Sequence, residues 1–458
     1  EAQRCGMFGC RRRSIALVCL TFLLGGASGC TGTVESDAFY DSLENPGDKD
    51  AGLFDMSTSN NTSGADQGSS NTTPSPTTPP ITPRDMGPNG GQDMDVEPPA
   101  DDMDSQPVDP CQSITCGQNA TCSQGACQCD AGFEGDPQAG CTPPDPCDGV
   151  MCGTNASCRE GACLCPPGFS GDPNNACQPE SPGDIALRSE NEVCSKWKSE
   201  RSPRAASAWA RQPADDCDTG ELHAEFLDDA IRRLNLYRWL VGLGPVVLAA
   251  NANNITQHCA TTMAAANVFT HYLDESHQCY TPEAGQGAGS SNIASGVGSA
   301  ADSVDLYIFD RGVASLGHRR WCFNPRMGRT GFGWRGRYSC MYSFDQSSGG
   351  ATPEYVAYPA PGFFPTAALG GEWSFASSTY SFTSNVAVQI TRLSDMSAVA
   401  VSNVERKSGN YGSMAIIGFS PNRSDVSAAG EYEVVITGLK QGGADTSVAY
   451  RVNLTSCP

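Results

Sequence analysis

The sequence has little positive charge and few histidines. Its 458 residues include 29 lysines and arginines against 51 acidic residues, and only 5 histidines. The net charge of −22, with no large basic patch, argues against nucleic acid or an anionic membrane surface as a binding partner. Because histidine is scarce, each one can be weighed separately as a metal ligand or as a structural residue.

Long apolar runs are also scarce. The run Ile15–Leu24 is too short to cross a bilayer of about 30 Å as a helix, and no other segment is apolar enough. It follows Arg11–Arg13 and precedes Ala27–Cys30, an arrangement that predicts a secretory signal. The cysteine resembles that of the bacterial lipobox, which implies a lipoprotein signal peptide over residues 7–30 with lipidation at Cys30. An ordinary cleaved signal is the alternative.

Residues 31–109 contain few aromatic residues and are rich in Ser, Thr, Pro, Gly, Asn and Asp. They hold sixteen acidic residues against Lys49 and Arg84. Such a stretch cannot bury enough apolar surface to offset the entropy of ordering the chain. It predicts a disordered acidic linker, which as a flexible coil would extend over roughly 50 Å.

Cysteine, in contrast, is abundant. The 23 cysteines predict an oxidising compartment, and the chain length predicts two to four domains. Twelve cysteines form two repeats with a period of 36 residues and identical internal spacings. Six cysteines allow fifteen pairings within each repeat, so the spacing alone does not settle them.

A Cys-X-Cys pair followed by Gly132-Phe133 or by Gly168-Phe169 resembles EGF-like modules, here over residues 110–143 and 146–179. The resemblance implies that the first cysteine pairs with the third, the second with the fourth and the fifth with the sixth. The implied pairs are Cys111–Cys122, Cys116–Cys127, Cys129–Cys141, Cys147–Cys158, Cys152–Cys163 and Cys165–Cys177.

Two amphipathic helix patterns lie within residues 222–334, one through Leu227, Ile231 and Leu234 and the next through Ile255, Cys259 and Met263. Five short stretches lie on or after them. They are Leu234–Arg238, Gln257–Ala260, Phe269–His271, Ser291–Ala294 and Gly317–Arg320.

These stretches, in this order, resemble the CAP superfamily of cysteine-rich secretory proteins, antigen 5 and plant pathogenesis-related proteins, including its bacterial branch. The resemblance implies an α-β-α sandwich, which we place at residues 183–352, and a cleft with two histidines and two acids. The corresponding tetrad is His271, Ser291, Asp310 and His318, with Asn292 and Arg319 as supporting residues. Ser291 stands where the family usually has glutamate, so one acid is lost.

His271, His318 and Asp310 are the candidate metal ligands, because two neutral imidazoles and a carboxylate could hold zinc or a similar ion. Because Ser291 contributes no charge, we expect any zinc to bind weakly. The alternative is that each histidine is structural and hydrogen-bonded to the backbone of a packed turn.

Seven further cysteines follow residue 180. Cys259–Cys279 is the first predicted pair and Cys322–Cys340 the second, which leaves one of Cys194, Cys217 and Cys457 unpaired. From residue 353 to 458 the apolar residues alternate without a helical stripe, for example Val386, Val388 and Ile390, and this predicts a C-terminal all-β sandwich.

The sequence therefore predicts a multidomain protein with an EGF-like pair, a CAP-type sandwich and a β-sandwich. We expect a lipid-anchored protein of the bacterial cell envelope, at the outer membrane or cell surface. Its expected role is extracellular binding or adhesion, with an unidentified protein, glycan or lipid ligand and without catalysis. The alternatives are a metal-assisted hydrolase of peptide or cell-wall substrates and a lipid or sterol binder.

Overall fold

The structure, a computed structural model, describes residues 109–350, 352–426 and 429–457, together with the backbone of strand β1 (Thr33–Val34). The predicted signal peptide, Cys30 and nearly all of the predicted linker lie outside the described residues. The chain divides into two compact units, one of residues 46–149 and one of residues 1–45 with 150–458. Within the described part, no helix combines the length and the apolar composition that crossing a membrane requires.

The first unit contains the first cysteine repeat, which folds as two small antiparallel hairpins. They are β2 (Ala120–Ser123) with β3 (Ala126–Cys129), and β4 (Glu134–Asp136) with β5 (Gly140–Thr142). Its disulfides are Cys111–Cys122, Cys116–Cys127 and Cys129–Cys141. A module of this size buries little apolar surface, so these bonds carry much of its stability.

Residues 150–179 belong to the second unit and repeat the same pair of hairpins. They are β6 (Ser157–Arg159) with β7 (Ala162–Leu164), and β8 (Phe169–Asp172) with β9 (Ala176–Pro179). Cys152 pairs with Cys163 and Cys165 with Cys177, while Cys147 and Cys158 are each disulfide-bonded. The EGF-like identity of the two repeats stays a prediction.

Six helices follow in the second unit, several of them started by a hydroxyl cap. Ser189, Thr281 and Ser299 each accept a backbone N–H of the first helical turn, which satisfies a donor that the helix cannot. The helices are α1 (Glu190–Arg201), α2 (Ala224–Leu240), α3 (Ala250–Ala266), α4 (Pro282–Gly289), α5 (Ala300–Phe309) and α6 (Gly317–Cys322).

Among these helices lies a four-stranded antiparallel sheet in the order β1-β13-β16-β15. Helix α3 packs closely on this sheet. A Cβ on Gly333 would lie only 2.1 Å from the carbonyl oxygen of Thr256, so this contact requires glycine. The strands of this region are β10 (Trp209–Arg211), β11 (Glu221–Leu222), β12 (Val247–Leu248), β13 (Ser291–Ser295), β14 (Arg329–Thr330), β15 (Phe332–Arg335) and β16 (Tyr338–Tyr342).

The C-terminal region is rich in sheet. One sheet has the order β17-β19-β23-β22 and the other the order β18-β25-β24-β20-β21. The elements are β17 (Val356–Tyr358), β18 (Gly362–Pro365), β19 (Trp373–Ser377), β20 (Ser381–Arg392), β21 (Ser397–Val399), β22 (Val401–Arg406), β23 (Ala415–Pro421), α7 (Arg423–Val426), β24 (Gly430–Gln441) and β25 (Ala444–Thr455). Buried residues of both sheets share one apolar core with α2 and α5.

The predicted disulfides of this region are wrong. Cys259 on α3 pairs with Cys340 in the middle of β16, because that helix lies across the sheet. Cys279 pairs with Cys217, so the predicted bond Cys259–Cys279 does not form. Cys194 pairs with Cys457 and links the segment after β25 to α1. Cys194, Cys217 and Cys457 are therefore all paired, although one of them was expected to be unpaired. Among the described cysteines, Cys322 is the one free thiol; it is buried at the end of α6, and the predicted bond Cys322–Cys340 does not form.

Candidate functional site

The four predicted tetrad residues come from four consecutive parts of the fold, and all are buried. His271 lies in the loop after α3, Ser291 opens β13, Asp310 follows α5 and His318 lies in α6. Their exposed fractions are 3% for His271, 1% for Ser291, 2% for Asp310 and 0% for His318. The site is therefore enclosed by protein.

Asp310 and His318 form the centre of the site. The Nδ1–H of His318 donates to Asp310 Oδ1 at 2.7 Å, and the backbone N–H of Arg319 donates to Asp310 Oδ2 at 3.1 Å. Asp310 ends α5 in the left-handed conformation with φ 50, which aspartate tolerates better than most residues. The Asp310 carboxylate therefore fixes a proton of His318 on Nδ1.

His271 has the same tautomer for a similar reason. Its Nδ1–H donates to the carbonyl oxygen of Ala288 at 2.8 Å. Burial lowers the pKa of His271 to about 4, the hydrogen bond to Ala288 opposes that shift, and the electrostatic interaction with His318 adds to it. His271 is therefore neutral at pH 7, and the two imidazoles are close enough to interact electrostatically.

Asn292, predicted as a supporting residue, holds α6 against β13. Its Nδ2–H donates to the carbonyl oxygen of His318 at 3.1 Å and to Cys322 Sγ at 3.6 Å. Ser291 lies beside it, and its hydroxyl has no hydrogen-bond partner among the described residues. Asn292 therefore contacts α6, whereas Ser291 places an uncharged, unbonded hydroxyl beside it.

Tyr307 is a site residue that the sequence did not single out as a supporting residue. Its ring stacks on His318 with centroids 5.8 Å apart, and its hydroxyl donates to the carbonyl oxygen of Asn292 at 3.0 Å. Burial raises its pKa well above the usual value, so the hydroxyl stays a donor. Its position three residues before Asp310, in the last turn of α5, was the signal that could have identified it.

The Arg319 side chain supports the site from outside, although its backbone N–H bonds Asp310. Its guanidinium donates to the carbonyl oxygens of Ile308 at 2.7 Å, Phe309 at 3.1 Å and Glu372 at 2.9 Å, and to Ser374 Oγ at 3.2 Å. The last two acceptors, Glu372 and Ser374, lie at the start of strand β19 of the C-terminal region. Helix α6 is thus anchored to the C-terminal region through the buried side chain of Arg319.

The donor set can be compared with the needs of a metal ion. The candidate ligands are the two imidazoles and Asp310, and both oxygens of Asp310 already accept hydrogen bonds from His318 and Arg319. Within the described ranges, no group of three or more His, Cys, Asp or Glu side chains could hold a metal ion. An open catalytic zinc site uses three protein ligands. The described residues do not fit such a site, and the weak zinc site expected from the sequence stays a prediction.

Comparison with known families now identifies the centre of the chain. Residues 231–344 match the CAP family, described as the cysteine-rich secretory protein family. The match contains the whole tetrad as well as Asn292 and Arg319, so the chain contains a CAP domain. No curated protein matches the chain at a significant level. The two cysteine repeats and the C-terminal sheets lie outside the matched residues.

Proposed function

We propose that this protein is an extracellular binding or adhesion protein in which the CAP domain is a scaffold and not an enzyme. The observation that carries the proposal is the burial of the tetrad, whose four residues are each 3% exposed or less. A peptide or cell-wall polymer must touch the groups that cleave it, and a side chain enclosed by protein offers no such contact.

The chemistry of the tetrad supports the same conclusion. The position of one family acid is taken by Ser291, which can neither transfer a proton as a carboxylate does nor compensate the charge of a metal ion. The carboxylate of Asp310 is engaged by two donors. Ser315, the serine closest in sequence before His318, is 2% exposed and its hydroxyl accepts the N–H of Gly317. The arrangement is that of a hydrogen-bonded core.

The other parts of the chain suit a protein that displays a binding surface. The many disulfides indicate an extracellular or secreted protein. Residues 150–179 of the second repeat attach to α2 through the ion pair of Arg159 with Asp228. In this proposal a lipid on Cys30 anchors the chain to a bacterial membrane, and Cys30→Ala should release it from the membrane fraction. Retention of the variant in that fraction would refute the anchor.

One observation favours a metal-assisted hydrolase as a second candidate. Both histidines have Nδ1 fixed by an oxygen acceptor, an arrangement common behind metal-bound imidazoles. Zinc titration by calorimetry separates the candidates. We expect weak binding by the natural protein and none by His318→Ala, and Ser291→Glu should strengthen binding because it restores a charge.

The decisive experiment is an activity assay on the full chain. The protein is incubated with casein and with peptidoglycan, with added zinc or with a chelator, beside His318→Ala and Asp310→Asn. We expect no hydrolysis of casein or peptidoglycan that is lost with the chelator, in His318→Ala or in Asp310→Asn. Hydrolysis that disappears in His318→Ala, while circular dichroism shows an intact fold, would overturn the proposed function.

A further inference from the structure

We infer that a second site, between the second cysteine repeat and helices α1 and α2, binds a small organic anion that has an apolar body. The inference rests on the proposed binding function and gives it a place and a ligand class. The site is a cavity of about 410 Å³ and shares no residue with the tetrad. That volume is within the range of about 300–1,000 Å³ found for small-molecule pockets, which often lie between structural modules.

The cavity is preformed because three contacts fix its two walls. The guanidinium of Arg159 pairs with both carboxylate oxygens of Asp228, with Nη2 to Oδ1 at 2.7 Å. Asn235 Nδ2 donates to the carbonyl oxygens of Pro167 at 3.0 Å and of Val246 at 2.9 Å. Gly168 has φ +85, and a Cβ there would lie 2.6 Å from the side chain of Pro245. The second cysteine repeat comes so close to the turn after α2 that only glycine fits at residue 168.

The charge of the lining differs from that of the whole chain. The net charge is −22, yet the cavity is lined by four cations and three acids. The cations are Arg159, Lys196, Arg204 and Arg232, and the acids are Glu180, Glu200 and Asp228. Arg159 pairs with Asp228, and Arg232 pairs with Asp229, which lies just outside the lining. The anion preference therefore depends on the other two cations, Lys196 and Arg204.

Two of these cations are available to a ligand. Lys196 Nζ lies 3.6 Å from Glu180 Oε2, and Arg204 Nη2 lies 3.8 Å from Glu200 Oε1, both longer than a hydrogen bond. The side chains of Lys196 and Arg204 are 30% and 59% exposed. Exposed ion pairs of this kind contribute little to stability, so either cation can turn to a ligand carboxylate or phosphate at small cost.

The remaining wall is apolar and sets the second requirement on the ligand. Leu236 and Leu243 are buried beneath it, and Trp239, Phe169 and Pro245 complete it. Lys196 Nζ lies 5.3 Å from the centre of the Trp239 ring, so a cation and an aromatic surface are side by side. A ligand that places an apolar body on this wall brings its anionic group to Lys196 and Arg204.

The test uses the full chain and three probes: N-acetyltryptophan, its uncharged amide, and phenyl phosphate. We expect calorimetry to show that N-acetyltryptophan binds at least about fivefold more tightly than the amide, because only the acid can pair with the cations. Binding should weaken as sodium chloride rises, since salt screens the interaction. Phenyl phosphate binding more tightly than N-acetyltryptophan would support the site and assign phosphate as the preferred group.

The variants localise the binding. Lys196→Gln and Arg204→Gln should each weaken N-acetyltryptophan binding by about three- to tenfold, and Leu164→Trp at the exposed rim should block it. Lys198→Gln is the matched control, because Lys198 lies on the same helix, is exposed and is outside the cavity. Equal binding of acid and amide, no binding of any probe, or an equal loss in Lys198→Gln would overturn the inference.

His318→Ala separates this inference from the proposed function. It should bind N-acetyltryptophan as the natural protein does, because the cavity contains no tetrad residue. If no probe binds and no hydrolysis is found, the cavity is refuted and the proposed function stands. If hydrolysis depends on His318 while the probe still binds, the proposed function is refuted and the site remains.

Discussion

Arg319 anchors α6 to the C-terminal region, and this role leads to a quantitative prediction for Arg319→Met. The side chain is 0% exposed, and its guanidinium makes four hydrogen bonds to residues of α5 and the C-terminal region. Methionine fills much of the same volume but donates no hydrogen bond. The change therefore leaves the carbonyl groups of Ile308, Phe309 and Glu372 without these donors in a buried environment.

The size of the effect follows from the number of lost contacts. Each hydrogen bond from a charged donor contributes about 1.5–3 kcal/mol, but the four are not additive, and removal of the charge also recovers its desolvation cost. We expect a loss of about 4 kcal/mol in the free energy of unfolding. Against a total of about 5–15 kcal/mol for a typical domain, the variant should still fold at 25 °C.

Urea unfolding followed by tryptophan fluorescence measures this loss, and hydrogen exchange locates it. Protection should fall first in β19, because Glu372 and Ser374 flank its start, and in α6. Arg329→Met is the matched control, since Arg329 is exposed, and it should change stability by less than about 0.5 kcal/mol. A loss below about 1 kcal/mol in Arg319→Met would refute the role assigned to this side chain.

Three further predictions concern a histidine, a disulfide and an ion pair. In the folded protein the pKa of His271 is about 4, below the ordinary value of 6.5. Its contribution of about 3 kcal/mol to the free energy of unfolding is therefore complete above pH 6.5 and is lost as the pH falls to 4. His271→Asn should remove that part of the pH dependence, measured by urea unfolding at each pH. Cys457→Ser opens the bond to Cys194, which has a sequence separation of 263 residues, and should cost up to about 5 kcal/mol by differential scanning calorimetry. Asp228→Asn should weaken the hold of Arg159 and destabilise the chain by about 1 kcal/mol in urea.

Each of these predictions has a control or a contrary outcome. His223→Asn removes an exposed imidazole and should leave the pH dependence of stability as it is. An identical pH profile for His271→Asn and the natural protein would contradict the assigned burial effect. Equal melting temperatures with and without Cys457 would show that the chain end contributes nothing. For Asp228→Asn, the second change Arg159→Gln should add no further loss if the two side chains act as a pair.

Local patterns in the sequence were enough to predict several parts of this protein. The CAP domain was recognised from five short stretches, and its presence is confirmed by the family match at residues 231–344. The sheet-rich C-terminal region followed from alternating residues such as Val386, Val388 and Ile390 within β20. These predictions succeeded because helical and strand periodicities, and the short motifs placed on them, are properties of neighbouring residues.

Only the tertiary structure decided which distant groups meet. Cys259 faces Cys340 because α3 crosses the sheet at β16, and no spacing along the chain encodes that crossing. The burial of His318, the reach of Arg319 to Glu372 and the cavity beside Trp239 likewise depend on how separate elements pack. Such contacts join residues many positions apart, so they are set by the packing of one shared core and not by local sequence.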